Sequence, residues 1–378
     1  MTVEPVPVRC PAIEHPDVPL AASADLDPLL ARLADDRAVA ADEVFPLGAL
    51  RPDGRVDLCK QGLGVPGVAR LLPVATASPH AVHLLLGTNA IGDDGARAVA
   101  GALGEGHRLR TLYLGCNRIG PDGTAALADR LGGDGTVRAL WLKRNPVGAA
   151  GVRALAAMLG RNTTLRTLDL FNTGLTMASL EVLVSALLTR ETPLERLFLG
   201  GNGLGPGAAP LLAALITGTG LRELYVQSNH LGDEGAAILA AASDPDRPVR
   251  LGLGGNGIGP NGATALADAL AGIDSLDLGR PLSERSLGAP PNTTGDLGVN
   301  ALAGALSGSP LRRLELRHTG LTGRGAKALL AGVPEDTRLE YVGLGPGLPR
   351  RVKRSFTPRL RPAAPAHPDL VAIGSLYR

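Results

Sequence analysis

The chain has 378 residues, with 38 basic and 36 acidic side chains; a net charge of +2 excludes a whole-molecule field built to hold nucleic acid. Apolar residues make up 44% of it and aromatics only 2%, so the core must be aliphatic, mostly Leu, Val and Ala in repeated layers. No uninterrupted apolar run reaches the roughly 18 to 20 residues needed to cross a bilayer.

Residues 1–24 carry Pro5, Pro7, Pro11, Pro16 and Pro19 and are expected to run extended over the surface or loose. The N-terminus lacks the basic and continuous apolar regions of a secretory signal. Cys10, Cys59 and Cys116 are too few and too scattered for a disulfide framework, so a reducing, cytoplasmic setting is expected. Only four of the 38 basic residues are Lys, the bias of high-GC coding, which points to a bacterial source. Residues 25–55 read as an N-terminal cap. Asp25 is placed to N-cap a helix marked by Leu26, Leu29, Leu30 and Leu33, and Pro52-Asp53-Gly54 turns the chain into the first repeat strand at Val56.

From there a Leu-x-Leu-x-x-Asn signature returns about every 28 residues. Leu84, Leu86 and Asn89 recur as Leu112, Leu114 and Asn117, then as Leu140, Leu142 and Asn145. Leu197, Leu199 and Asn202 follow, then Leu224, Val226 and Asn229, then Leu251, Leu253 and Asn256; weaker copies open at Val56, Leu168, Leu276 and Leu314. Period-2 spacing over Leu112, Leu114 and Ile119 gives way to helical spacing over Gly123 to Leu131. Such a half-unit cannot bury its Leu face alone, so neighbours must stack. Adjacent strands sit roughly 4.8 Å apart whereas adjacent helices need roughly 8 to 10 Å, so the stack bends with strands on its concave side. The expected class is α/β, a curved solenoid over residues 56–344 with parallel strands on the concave face and helices on the convex face. The amide of each Asn serves as donor and acceptor for the adjoining turns, and Thr173 and Thr319 take its place in two repeats.

This pattern resembles leucine-rich repeat proteins of the ribonuclease-inhibitor subtype. Gly-Ala-x-x-Leu-Ala phrases, as at Gly262 to Ala267 and from Gly325, also look like the gala-type bacterial members and are similar to Ran GTPase-activating protein repeats. The resemblance covers about Val56 to Leu344 and implies a horseshoe that serves inhibitors, receptors, adaptors and GTPase regulators alike. The F-box that precedes gala-type repeats has no counterpart here. One step, Leu276 to Leu314, is longer than the rest, and the surplus is expected as a rim insertion near residues 280–296. Asn292-Thr293-Thr294 within it matches a glycosylation sequon, an accident without a secretion signal.

Strand positions alternating with the buried leucines face the groove. Tyr113, Trp141, Phe171, Phe198 and Tyr225 stand there in five consecutive repeats, flanked by Lys143, Arg144, Arg196, Glu223 and Gln227. Aromatics beside Arg are the composition of protein-binding hot spots. Strand propensity alone also favours aromatics, but it would place them at the Leu positions too. Binding on this strip predicts that Trp141 is partly exposed. A second cluster, Arg250, Arg313, Glu315, Arg317, His318, Arg338 and Glu340, reads as a solvated face. Basic residues crowd into a tail over residues 345–378, which reads as a cap on the last repeat that ends in the apolar Leu370-Val371-Ala372-Ile373; attraction to phosphates or an anionic membrane is the alternative.

Catalysis has little support. His15, His80, His83, His107, His230, His318 and His367 fall in different repeats or tails and are expected at the surface; His80-x-x-His83 alone has metal spacing, without further ligands nearby. Asp57, Asp169 and Asp277 share a column four repeats apart, too far for a carboxylate pair. Neither a cofactor, a metal nor a small-molecule substrate is called for. The leading expectation is a non-enzymatic, monomeric scaffold that binds a protein on the aromatic strip. An inhibitor of a ribonuclease or toxin and a Ran-type GTPase regulator are the alternatives the resemblance allows, and nucleic-acid binding through the tail ranks last.

Overall fold

The computed structural model describes residues 6–14, 17, 19–280 and 287–374. It divides into two compact units: a first unit of Pro7–Leu194 with Ala366–Arg378, and a second of Glu195–Pro365 with Met1–Val6.

In the first unit, β1 (Glu43–Val44), β2 (Ala49–Leu50) and β3 (Arg55–Asp57) form an antiparallel meander. Gly54 holds φ +83° in the Pro-Asp-Gly turn, with Val82 close against it, so the reversal needs a residue without Cβ. From β3 the pairing becomes parallel through β4 (His83–Leu85), β5 (Thr111–Tyr113), β6 (Ala139–Trp141) and β7 (Thr167–Asp169). Val56, Leu84, Leu112, Leu140 and Leu168 stand in register across them, all completely buried. Helices Gly64–Ala77, Gly92–Ala102, Pro121–Leu131, Gly148–Leu159 and Met177–Leu188 connect or follow these strands. Each buries an apolar stripe, such as Val152, Leu155 and Leu159.

The second unit repeats the plan. Its strands are β8 (Arg196–Phe198), β9 (Glu223–Tyr225), β10 (Val249–Gly252), β11 (Ile273–Asp277), β12 (Arg313–Glu315) and β13 (Tyr341–Gly343). They pair in parallel with Leu197, Leu224, Leu251, Leu276, Leu314 and Val342 in register. Both units are stacked α/β repeats, so the expected fold class holds.

The Asn column works as a ladder. Nδ2 of Asn117 donates to the carbonyls of Leu86 and Leu114 at 2.9 and 3.0 Å, and its backbone N–H donates to Oδ1 of Asn145 at 2.8 Å. One wholly buried side chain thereby satisfies turn groups in two layers. The Thr173 and Thr319 hydroxyls donate to Leu170 O and Leu316 O. The residue before eight of the ladder positions has positive φ: Thr88, Cys116, Arg144, Asn172, Ser228 and His318, with glycine at Gly201 and Gly255. Arg144 is therefore a turn residue and not part of the strand array.

Several expectations fail in particular places. Asn292 is 1% exposed and is itself a ladder residue: its Oδ1 accepts from the backbone of Asn256 and Ile258, and its amide donates to Leu253 O and Leu278 O. The inserted residues thus fall between the strand and the ladder position; residues 281–286 of the expected rim insertion lie outside the described ones. Helix Asp27–Leu33 follows a short 3-10 turn, Ser23–Leu26, so Asp25 lies inside that turn and caps nothing. His107 is buried, its Nε2 2.7 Å from Oδ2 of Asp134. Burial would raise the Asp134 carboxyl, but bonds from Val137 N, His107 and Thr136 N outweigh it and hold it below the usual range. The expectation of reduced thiols also fails, since Cys10 and Cys116 are joined in a disulfide. This pins the N-terminal segment to the turn after β5, and Pro7 and Arg9 hydrogen-bond Asn172 through their backbone. Cys59 stays reduced and half-buried, and burial pushes its thiol well above the usual range.

Candidate protein-binding face

The middle residue of each Leu-x-Leu triplet, together with the residue two positions before it, projects from the strand face, away from the helices. In the first unit these are His83 and Leu85, Thr111 and Tyr113, Ala139 and Trp141, and Thr167 and Asp169. An open strand face would leave such side chains in water. Instead Leu85, Thr111, Ala139, Trp141 and Thr167 are 0% exposed and Asp169 1%, with Tyr113 and Phe171 buried as well. The expectation that Trp141 is partly exposed is therefore overturned.

A segment from the far end of the chain lies against this face at Thr167. Residues from Ala366 onward belong to this unit, and Oδ2 of Asp369 accepts a hydrogen bond from Oγ1 of Thr167 at 2.9 Å. Asp369 lies in the first turn of a four-residue helix, Pro368–Val371, and Ala372 and Ile373 just after it are almost completely buried. His83 lies in the field of Asp369 too. Burial lowers its pKa below the ordinary 6.5, with Arg55 and Arg110 pushing the same way and Asp53 and Asp369 opposing. Its Nδ1 is 2.8 Å from Oγ1 of Thr111. The aromatics pack beside one another: the Tyr113 and Trp141 centroids are 6.5 Å apart, and Nζ of Lys143 lies 5.5 Å from the Phe171 centroid.

The tail thus splits into two parts. Helix Arg350–Phe356 buries Val352 and Phe356, while Arg359 and Arg361 donate to the carbonyls of Val333, Thr337 and Glu335, so this part packs on the last repeat. The apolar end does not join the cap; it serves the first unit's strand face.

The second unit's face is different in kind. Phe198 and Tyr225 stack at 4.4 Å with planes 6° apart, and both are half-buried. Beside them runs a row of alternating charges. Nε of Arg196 lies 3.0 Å from Oε1 of Glu223, that oxygen is 3.4 Å from Nη1 of Arg250, and Nε of Arg250 is 3.2 Å from Oδ1 of Asp274. Glu223 also accepts the Tyr225 hydroxyl at 2.8 Å. Burial, reinforced by the Glu223 carboxylate, pushes the Tyr225 hydroxyl far above its normal range. Arg196 and Glu223 were expected to be presented to a partner, but they are 4% and 3% exposed and engage each other. Gln227 is half-buried on the same face, and further along Arg313 lies 4.6 Å over the Tyr341 ring, with Arg313, Arg317 and His318 exposed.

Sequence reasoning placed five aromatics in one column, but Phe171 lies beyond the end of β7 and Asp169 holds the place beside Trp141; it also missed Leu85, hidden in the Leu84-Leu85-Leu86 run, and the Thr111, Ala139 and Thr167 positions around it. It also missed the ion pairs, whose signal was available. Arg196 and Glu223, Glu223 and Arg250, and His107 and Asp134 are each 27 positions apart, one repeat period. Among the described residues no group of three or more His, Cys, Asp or Glu is placed to hold a metal. Among the same residues no helix is long and apolar enough to cross a membrane.

The leucine-rich repeat model matches residues 107–128, 219–240, 249–267 and 309–330. This chain carries leucine-rich repeats. No curated protein matches it. Among solved structures, a chain of the yeast Rad7 and Elc1 complex matches with TM-score 0.53 and 17% identity over 86% of this chain and 77% of that one. The actin-binding site 2 of leiomodin-1 reaches 0.35 at 18% identity, covering 39% of this chain and 84% of its own. The Caenorhabditis elegans tropomodulin C-terminal domain reaches 0.34 at 18%, covering 44% and 92%. The first of these likenesses describes the fold alone.

Proposed function

We propose that this leucine-rich repeat chain is a non-enzymatic scaffold that binds a protein partner through its strand face. One observation carries the reading: in the first unit that face already holds a polypeptide segment, with Asp369 hydrogen-bonded to Thr167 and Ile373 buried. A surface that buries one stretch of chain has the chemistry to bury another. In the second unit the Phe198 and Tyr225 stack, with Gln227 and Arg250 beside it, is the half-exposed aromatic patch available to a partner. Aromatic and Arg anchors of this sort dominate protein interfaces.

An inhibitor of a basic nuclease would need an excess of acid on this face. The acidic groups there, Glu223, Asp274 and Glu315, are already paired with Arg196, Arg250 and Arg317. The Cys10 and Cys116 disulfide supports work in an oxidising compartment rather than the cytoplasm.

The test is quantitative affinity capture from the native cell with the wild-type chain and with Phe198→Ala plus Tyr225→Ala. Loss of the specific partner by the double variant is expected, with its circular dichroism unchanged. Recovery of the same partner in the same amount would remove the reading.

A further inference from the structure

We infer that the strand face of β4 to β7 is a peptide-binding site held closed by the chain's own His367–Ile373, and that its ligand is a short segment pairing a carboxylate with apolar residues three and four positions later. The inference rests on the protein-binding reading above and adds a ligand class and a gate to it.

The floor of the site is preformed. Leu85, Tyr113, Trp141 and Phe171 come from four successive layers, and their backbones are fixed by the parallel ladder and by the Asn and Thr column behind it. This floor is apolar with one polar edge, made by the Thr111 and Thr167 hydroxyls. The occupant complements it in order. Asp369 places its carboxylate on Thr167, and three and four residues later Ala372 and Ile373 are 2% and 1% exposed. Leu370 is half-buried and Val371 is 45% exposed, so one side of the short helix is used and the other is not.

The segment is attached as a ligand would be, rather than built in as a repeat. It supplies no strand to the sheet, and its helix has only four residues. The run before it, Arg361 to Ala366, is exposed and without regular structure, with Pro362 and Pro365 in it. A terminal segment outside the sheet, with a helix this short, belongs to the low-stability end of a fold, where local opening is frequent. Because it is tethered, its effective concentration is of order millimolar, so a free peptide of the same sequence competes poorly until the tethered copy is weakened. A partner segment carrying the same carboxylate and apolar pattern displaces it, and the gate opens only to a ligand that outcompetes the tether.

Trp141 is the only tryptophan in the chain and lies in the floor, so it reports the gate without labelling. The experiment uses the full chain with Asp369→Ala plus Ile373→Asp. Acrylamide quenching of Trp141 should rise several-fold over wild type with its emission shifted to the red, while far-UV circular dichroism is retained. A fluorescein-labelled peptide of residues 364–374 should bind this variant, restore the protection of Trp141, and bind wild type at least tenfold more weakly. Unchanged quenching in a folded variant, or no peptide binding to it, overturns the inference. Hydrogen exchange on the wild-type chain covers the case in which the variant fails to fold. Amides of residues 369–374 should exchange at least a hundredfold faster than those of β5 and β6, and equal protection would mean that the segment is permanent core. None of these readings involves the partner sought by affinity capture, so loss of that partner assignment leaves them intact, and the reverse also holds.

Discussion

The strand face of the same repeat is finished in two different ways in the two units. In the first, Leu85, Tyr113, Trp141 and Phe171 are buried, and a segment of chain lies against the same face at Thr167. In the second, Arg196, Glu223, Arg250 and Asp274 neutralise one another along the strands, and the aromatic pair above them keeps part of its surface in solvent. A strand face with an apolar floor must be covered to be stable in water, whereas a paired polar row can stand open. The repeat dictates where these side chains project, and their chemistry decides whether anything has to lie on top.

The comparison can be broken most strongly at its aromatics. Trp141→Ala should cost about 4 kcal/mol because it removes a completely buried ring from a layer that cannot collapse around the gap. Phe198→Ala, at the half-exposed stack, should cost only about 1 to 2 kcal/mol. Urea unfolding followed by far-UV circular dichroism measures both, and equal losses would mean that the two faces are covered alike. Next is Glu223→Ala, which leaves the buried Arg196 without its main partner and the Tyr225 hydroxyl without an acceptor; about 3 kcal/mol is expected, with Glu223→Gln recovering part of it. A loss below about 0.5 kcal/mol, the level of an exposed ion pair, would show the row to be solvated.

The smallest effect concerns pH. The pKa of His83 is lowered in the folded chain, so the neutral form is the one the fold favours. Its contribution is complete above the free-histidine value of 6.5 and is lost as pH falls from there toward the folded value. A modest fall in Tm between pH 7.5 and 5.5 is expected, and His83→Asn should flatten it. A Tm that rose on acidification would mean that Asp369 and Asp53 outweigh burial at this site.

The repeats were legible because Leu and Asn at fixed spacing encode both the strand register and the ladder that ties layers together. Trp141 was correctly assigned to the strand face, and its exposure was not, because exposure depends on what lies opposite. The covering segment begins 226 positions further along, has a helix of only four residues, and carries no periodic signal. The Cys10 and Cys116 pair, 106 positions apart, was equally invisible, since two cysteines at that separation specify no geometry. The ion pairs were readable in principle. Opposite charges one repeat period apart on neighbouring strands are directly adjacent in a parallel register, and Arg312 with Glu340 follows the same rule.

Asn292 carries a consequence for how this chain tolerates change in length. It reaches the ladder from a longer stretch than its counterparts and still makes all four ladder bonds, to Asn256, Ile258, Leu253 and Leu278. Layer spacing is therefore set where the side chain docks and is independent of the contour length between strand and Asn. Doubling such a loop costs only about 0.6 kcal/mol in closure entropy, less than the bonds that re-seat the chain. The gap before a ladder residue is thus a natural splice point, at which a foreign segment can be carried on the rim with the layers on either side left in place.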